Sequence, residues 1–465
     1  MVQQLPNGWR CAARALRLAV ACAILAWTVP APAQVYDSGR DDSHVEGGSE
    51  FAPPGYVPDG ETPDWMATYQ EYCQEDCGGS HGDCIGCDCD SECIAGDCAG
   101  GERWWFAAEY LLWRTDSTVL PPLATDSPRG TVPTLDQSTT QVLAGNHPVA
   151  NHWRSGYKFE LGIWLGDCND LAVVGDYFNI GQDDYDFYFP GDSGRNTGRP
   201  YFNTQTGQQS VLPISGVFFG GNGPILDGTI TVAQDDEFQS AGILLEQTIY
   251  SVGMPTGVGP GTQVILLGGY RYYGYDSRLA IDSTSTIVSG PGGGGFNVHR
   301  DLFTSDNEFH GGEIGIRARV NQKACWFDGS FKLALGGHSR QISVDGASVV
   351  APVGMPAEFS EGGWLTSAET NIGDYGDTRA RLIPEFRLGF GVYLTPQWVI
   401  RGGYTAIVWS GVARAAGALP PNLEVDPRNE PGGTVGVGGV SPYFPGVGGS
   451  ELVANGLDLG LEYNY

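Results

Sequence analysis

From residue 104 to the C-terminus, apolar and polar residues alternate in short segments separated by glycine-rich and polar links. The last segment is the clearest. Leu457, Leu459, Leu461, Tyr463 and Tyr465 alternate with Asp458, Gly460, Glu462 and Asn464, the period-2 pattern of a strand with one greasy and one polar face. Chain ends usually fray. A final strand held so strictly suits the closing strand of a transmembrane barrel, whose outer face meets lipid between aromatic girdles. The other segments are 104–114, 156–165, 171–180, 238–250, 264–275, 309–320, 325–337, 379–394 and 398–409. Each has about the length of a tilted membrane strand, ~9–11 residues.

The links alternate in length. Long ones fall at 115–155, 181–237, 276–308, 338–378 and 410–455, short ones at 166–170, 251–263, 321–324 and 395–397. Short periplasmic turns and long extracellular loops are what an outer-membrane barrel requires, and an even strand count returns both chain ends to the periplasm. The expected fold is therefore all-β: an antiparallel, up-and-down transmembrane barrel of about ten strands, with roughly eight to fourteen allowed because Arg340 to Ala347 is also strand-like. No stretch after the N-terminal region approaches the ~20 apolar residues of a helical span.

The faces assign themselves. In 379–394, Ala380, Leu382, Pro384, Phe386, Leu388, Phe390, Val392 and Leu394 oppose Arg379, Arg381, Glu385, Arg387, Gly389 and Gly391. Pro384 has no N–H for a ladder, so a bulge is expected there. Likewise Ile314, Ile316, Ala318 and Val320 oppose Glu313, Arg317 and Arg319, Phe331 and Leu333 oppose Asp328 and Lys332, and Tyr157, Phe159 and Leu161 oppose Lys158 and Glu160. The first segment alternates least cleanly. The polar faces together put Lys158, Arg271, Arg317, Arg319, Lys332, Arg379, Arg381, Arg387 and Arg401 inside with Glu109, Glu160, Glu246, Glu313, Asp328, Glu385, Asp458 and Glu462. Barrels of about eight strands have interiors just wide enough for side chains to fill. At ten, cross-lumen ion pairs are expected, since an unpaired buried charge is costly. The lumen is then narrow or largely occluded; the alternative is a set of solvated charges around a narrow water-filled pore.

Composition adds an address. With 70 Gly, 29 Pro and 11% aromatics in 465 residues, the chain is rich in turn and strand formers. Residues 1–33 have the form of a cleaved secretory signal: Arg10, Arg14 and Arg17, the apolar run Leu18 to Trp27, then Ala31-Pro32-Ala33. Removing it takes the formal charge from −29 to −32, which opposes nucleic-acid binding. Residues 34–103 form an acidic periplasmic neck with cysteines at Cys73, Cys77, Cys84, Cys87, Cys89, Cys93 and Cys98. In an oxidising compartment these are disulfide candidates of unreadable connectivity. Cys84-x-x-Cys87-x-Cys89 leaves a zinc reading open, although no metal site is expected. Cys168 and Cys325 flank short turns on different hairpins, a poor geometry for a bridge.

Several stretches are similar to the beta-barrel porin family numbered seven, outer-membrane barrels. They are Trp105 to Trp113 with Pro121-Pro122-Leu123, Gly268-Gly269-Tyr270-Arg271-Tyr272 with Leu279, and Asp301-Leu302-Phe303 with Asn307 and Phe309-His310-Gly311-Gly312. Lys332-Leu333-Ala334-Leu335-Gly336, Pro384-Glu385-Phe386 and Gly402-Gly403-Tyr404 continue the series. The resemblance spans about residues 104–425 and implies a porin, with no functional residue to transfer. Expected partners are outer-membrane lipid and the barrel-assembly machinery, which would read the C-terminal strand; no cofactor is implied.

Other chemistry is weaker. Asp183, Asp184 and Asp186, with Asp235, Asp236 and Glu237, could offer oxygen ligands to Ca²⁺, but their spacing matches no calcium loop. The glycine runs 290–295 and 432–439 lack a P-loop lysine. His299, Asp301, Asp306 and His310 would suit an outer-rim hydrolase if a carboxylate oriented a histidine as general base. A third class is structural, a barrel that anchors an acidic surface and tethers the neck.

Overall fold

The computed structural model describes residues 103–149, 151–165, 169–191, 194–218, 223–253, 260–290, 293–322, 324–427 and 441–465. The signal sequence, the neck with its seven cysteines, Cys168, part of the 290–295 glycine run and all of 432–439 lie outside the described residues.

Ten antiparallel strands close into a ring: β1 (Trp104–Thr115), β2 (Arg154–Trp164), β3 (Leu171–Phe189), β4 (Ile225–Gly253), β5 (Gly261–Ser289), β6 (Phe296–Asn321), β7 (Cys325–Ala351), β8 (Gly373–Tyr393), β9 (Trp398–Val412) and β10 (Ser450–Asn464). Each pairs with its sequence neighbours, and β10 closes the ring on β1 with Leu111 opposite Asp458. Closure leaves no sheet edge in lipid, where an unpaired backbone group costs several kcal/mol. The Tyr465 N–H donates to the Trp104 carbonyl at 2.9 Å, and the two rings stack at 5.3 Å, so the chain end is tied down.

The outward positions form the apolar band. Phe106, Tyr110, Phe159, Leu161, Ile243, Leu245, Leu266, Ile314, Phe331, Leu382, Phe386, Leu457 and Leu459 are all exposed. The start of β1, the end of β10 and the ends of the strands that the four short links join share one rim, the periplasmic one in an outer-membrane barrel.

The wall is uneven in height. β1, β2, β9 and β10 run 12, 11, 15 and 15 residues, whereas β3 to β8 run 19, 29, 29, 26, 27 and 21. Much of the links 181–237, 276–308 and 338–378 is therefore ladder rather than loop. Register continues unbroken from Tyr275↔Asn307 to Thr286↔Phe296, for example. The hydrophobic period fades there because the outward residues are Asp, Ser and Thr, while the backbone pairing does not depend on them. Over the short side, segments fold back against the tall wall. The hairpin Arg195–Asn203 and Gln208–Val217 pairs with Ala124–Pro128, and Glu424–Val425 runs parallel to Phe202 and Asn203. These bury Leu120, Ile214, Leu419 and Leu423 against Ile230, Leu279, Phe303 and Ile342 of the tall strands.

The bulge expected at Pro384 is absent: Leu333 and Pro384 pair in register. Instead the β8–β9 ladder stops beside the proline, with Glu385↔Ile407 its last pair. A residue without an N–H ends a ladder as readily as it distorts one.

Candidate functional site: the barrel interior

The interior is packed in layers. Nearest the periplasmic rim lies a network of charges. The Arg401 guanidinium stands 2.9 Å from Glu109, 3.1 Å from Glu160 and 2.9 Å from Glu462. Arg387 donates to Glu109 at 2.6 Å and to Asp458 at 3.4 Å, and Lys158 is 3.4 Å from Glu109. One buried carboxylate thus gathers three cations. On the facing strands, Arg271 donates to Glu313 at 2.8 Å and to Asp176 at 3.0 Å, and Lys332 reaches Glu385 at 2.6 Å and Glu313 at 3.9 Å. Gly242 makes this possible, because a Cβ there would sit 2.6 Å from the Arg271 guanidinium carbon. Arg317 pairs with Glu246 at 2.9 Å. Arg319 pairs with Asp328 at 3.0 Å and lies over the Trp326 ring.

Fourteen of the sixteen interior candidates other than Glu109 thus join ion pairs, as does Glu109 itself. Arg379 and Arg381 join none of these pairs: the expected place in the lumen fails for Arg379, whereas Arg381 is on the inward side of β8 without a carboxylate partner there. Arg379 is exposed and bonds Asp377 at 2.7 Å, because the wall beside it has no β9 partner and opens to solvent. Arg381 packs against Gly411, whose positive φ of 78° and lack of a Cβ admit the guanidinium. Asp176 joins the network without having been foreseen, since its inward neighbours Val174 and Phe178 are apolar. The near-neutral balance therefore shifts: among the described residues, Lys158, Arg271, Arg317, Arg319, Lys332, Arg387 and Arg401 face nine carboxylates.

Directly above the charges is an aromatic layer. Trp113 meets Phe178 at 5.2 Å, Phe178 meets Phe238 at 5.4 Å, and Tyr273 lies 6.1 Å from Trp409, which also touches Phe309 and His338. All six aromatic rings are almost fully buried. The two layers are stitched together: Trp113 Nε1 donates to Asp458 at 2.7 Å, and the Tyr273 hydroxyl donates to Glu385 at 3.1 Å. Between them is a cavity of about 30 Å³ lined by Trp113, Lys158, Asp176, Glu246 and Lys332. That volume admits a water or two and no larger solute.

Over the aromatic layer, the segment after β9 is threaded into the mouth. The Ala413 N–H donates to Asn307 Oδ1 at 2.7 Å, and the Ala415 N–H donates to Ser277 Oγ at 2.8 Å. Ser305 Oγ and Asn307 Nδ2 both donate to the Ala413 carbonyl. Nothing in the alanine-rich sequence of this segment announces its place in the mouth.

The four hydrolase candidates divide between two faces of β6. His299 and Asp301 are buried on the inner face, Asp306 and His310 exposed on the outer one. Side chains of opposite parity on one strand cannot converge. His310 Nδ1 meets the Tyr270 hydroxyl at 2.6 Å instead. The acidic residues proposed for calcium split between the two faces: Asp183 and Asp236 lie opposite each other on the inner face, bound to His152 and, at 2.9 Å, to Arg154, while Asp184, Asp186 and Asp235 point outward. Among the described residues no group of three or more His, Cys, Asp or Glu side chains is arranged to hold a metal ion. Cys325 is buried at the start of β7. On the outer face above the membrane band, Asp276 lies opposite Asp306, and burial together with that carboxylate pushes its pKa up to about 7.

A family model described as "Putative beta barrel porin-7 (BBP7)" matches residues 105–465. No curated protein matches the chain in sequence. Among solved structures, the outer membrane protease OmpT from Escherichia coli is 9% identical, with 81% of this chain and 99% of that chain covered at a TM-score of 0.36. A Pseudomonas aeruginosa FadL homologue is 6% identical, with 78% and 90% covered at 0.21. An anion-selective porin from Comamonas acidovorans is 8% identical, with 77% and 100% covered at 0.15.

Proposed function

The chain belongs to the beta-barrel porin-7 family, and from that premise we propose that it is an outer-membrane barrel whose lumen is closed at rest. The observation that carries the proposal is the stack of an ion-pair layer, an aromatic layer and a threaded segment, with a cavity of about 30 Å³ between the first two. Water and ions need a continuous polar path. Six rings in mutual contact offer none, and the charges below are committed to one another rather than to solvent. We read the protein as non-enzymatic, the divided histidines and carboxylates of β6 supporting this. β10, paired on both sides and followed by Tyr465, is the segment we expect the assembly machinery to read.

Passage of a solute would require the threaded segment to leave and the aromatic layer to part. Liposome swelling tests the closed state directly. Vesicles carrying the folded protein should swell in a small sugar no faster than protein-free vesicles, and rapid swelling would refute the closed lumen.

The tall wall favours a second reading, that of a surface anchor. β4 to β7 carry about half of their length past the aromatic layer, far more than the seats of the threaded segment at Ser277, Ser305 and Asn307 require. Binding of the protein to cell-envelope fractions, compared with the same chain lacking the acidic neck, tests it. Equal, negligible binding by both would dismiss anchoring.

A further inference from the structure

High on the inner face of the tall wall, the hairpin Arg195–Asn203 and Gln208–Val217 is held by one fully buried ion pair. Arg199 donates to Asp301 and, at 3.2 Å, to Ser283 Oγ. The other oxygen of Asp301 already accepts the Leu365 N–H at 2.7 Å and the Thr366 hydroxyl at 2.9 Å. Three of the four acceptor sites of this carboxylate are thus taken.

Two residues away, on the same face of β6, lies His299, also buried. Its Nδ1 is 3.0 Å from Ser348 Oγ, and the Ser348 hydroxyl donates to the Gly362 carbonyl at 2.6 Å. A hydroxyl has one hydrogen. That hydrogen is spent on Gly362, so the imidazole must donate from Nδ1, and Nε2 is left as the basic atom. Trp364 packs against the ring at 5.9 Å, and Ser283 lies opposite on β5. The charged groups that act on it are Arg199 from the hairpin and Asp301 from its own strand. Burial first, then the Arg199 guanidinium, hold the imidazole down to about 4, with Asp301 opposing them.

We propose that His299 is an acid-sensitive latch of this hairpin, which lies as a lid against the wall: a proton taken from solvent onto Nε2 places a second buried cation beside Arg199, which already holds Asp301, and frees the hairpin from the wall. The proposal rests on the closed-lumen reading, because a lid matters only where something is closed. Its direction follows from linkage. An imidazole released to water titrates near 6.5, and the latched one near 4. The open lid therefore binds the proton more readily, and the latched form loses stability as pH falls from about 6.5 towards 4.

Val344, buried in the apolar cluster that includes Tyr201 and Ile214 of the hairpin, reports on the lid when replaced by cysteine; Val353, exposed near the top of the wall, is the reference. Full-length V344C and V353C in vesicles are labelled with a membrane-impermeant thiol reagent, and each site is quantified by mass spectrometry. Labelling at 344 relative to 353 should rise by on the order of tenfold or more between pH 7.5 and pH 4.5. In His299→Asn, whose amide keeps the donor to Ser348 but does not titrate, labelling at pH 7.5 should be unchanged and the rise lost. Slow labelling at both pH values in the otherwise native protein, or an undiminished rise in His299→Asn, overturns the latch. If that variant does not fold, the native titration decides: a midpoint between about 4 and 6.5 that follows the His299 NMR titration supports the latch, and one below 4, where carboxylates titrate, overturns it. Fast labelling already at pH 7.5 would mean that the hairpin does not cover the wall at neutral pH, which also overturns the latch and leaves the aromatic and charged layers below it untouched.

Discussion

The two layers inside the membrane band are packed by opposite means. The lower is charge against charge around Glu109, Arg387 and Arg401, the upper ring against ring around Trp113, Phe238 and Trp409. Both fill the lumen, but they fail differently. A buried ion network resists the loss of any one member, because the remaining charges are stranded in low dielectric. An aromatic layer resists loss of volume, because its neighbours cannot collapse into the gap. On the closed-lumen proposal, the charged layer specifies which strands face which, and the aromatic layer makes the seal.

Removing the hub of the lower layer should have the largest effect. Arg401→Met leaves Glu109, Glu160 and Glu462 with one partner fewer and should cost about 3–5 kcal/mol of folding stability, measured by urea titration in vesicles. A loss near zero would mean that solvent already screens the network. Trp409→Ala opens the upper layer and should cost a comparable ~3–5 kcal/mol. The distinction between the layers lies in salt: the Arg401→Met loss should shrink in high salt if water reaches the charges and persist if the layer is dry, while the Trp409→Ala loss stays constant.

The contrast sharpens outside the lumen, where charges are wet. Asp276 and Asp306 stand opposite on the outer face, and the native pair holds a proton up to about 7, after an unfolded aspartate has lost its own near 3.8. The native state therefore binds more protons between those values, and the pair costs stability as pH rises through them. Asp306→Asn should gain ~0.2–1 kcal/mol at pH 8 and nothing at pH 3. The smallest effect is expected at Arg379, exposed beside Asp377: Arg379→Ala should fall within about 0.5 kcal/mol of native.

The same contrast explains what could be read in the chain. Lys332, Glu385 and Arg387 stand out because each interrupts an apolar row, so the charged layer is legible residue by residue. In β1, however, inward Leu111 and Trp113 alternate with outward Tyr110 and Leu112, and both faces are apolar. Period-2 patterning marks a boundary between oil and water, and here neither side is water. The run Tyr270 to Tyr275 hides its inward Tyr273 and Tyr275 for the same reason. Asp176 was lost among apolar inward neighbours. The ring of ten strands, by contrast, was legible from link lengths and the closing strand. The upper reach of β3 to β8 was not, because an extramembrane sheet with polar residues outside and a lid inside carries no lipid signature.

Conductance across a planar bilayer, at neutral pH and high salt, tests the sealed lumen most directly. The account predicts no steady current from the intact protein, and still none when the hairpin 195–217 is replaced by a short turn, because the aromatic and charged layers remain. A steady nanosiemens conductance from the intact barrel would contradict it.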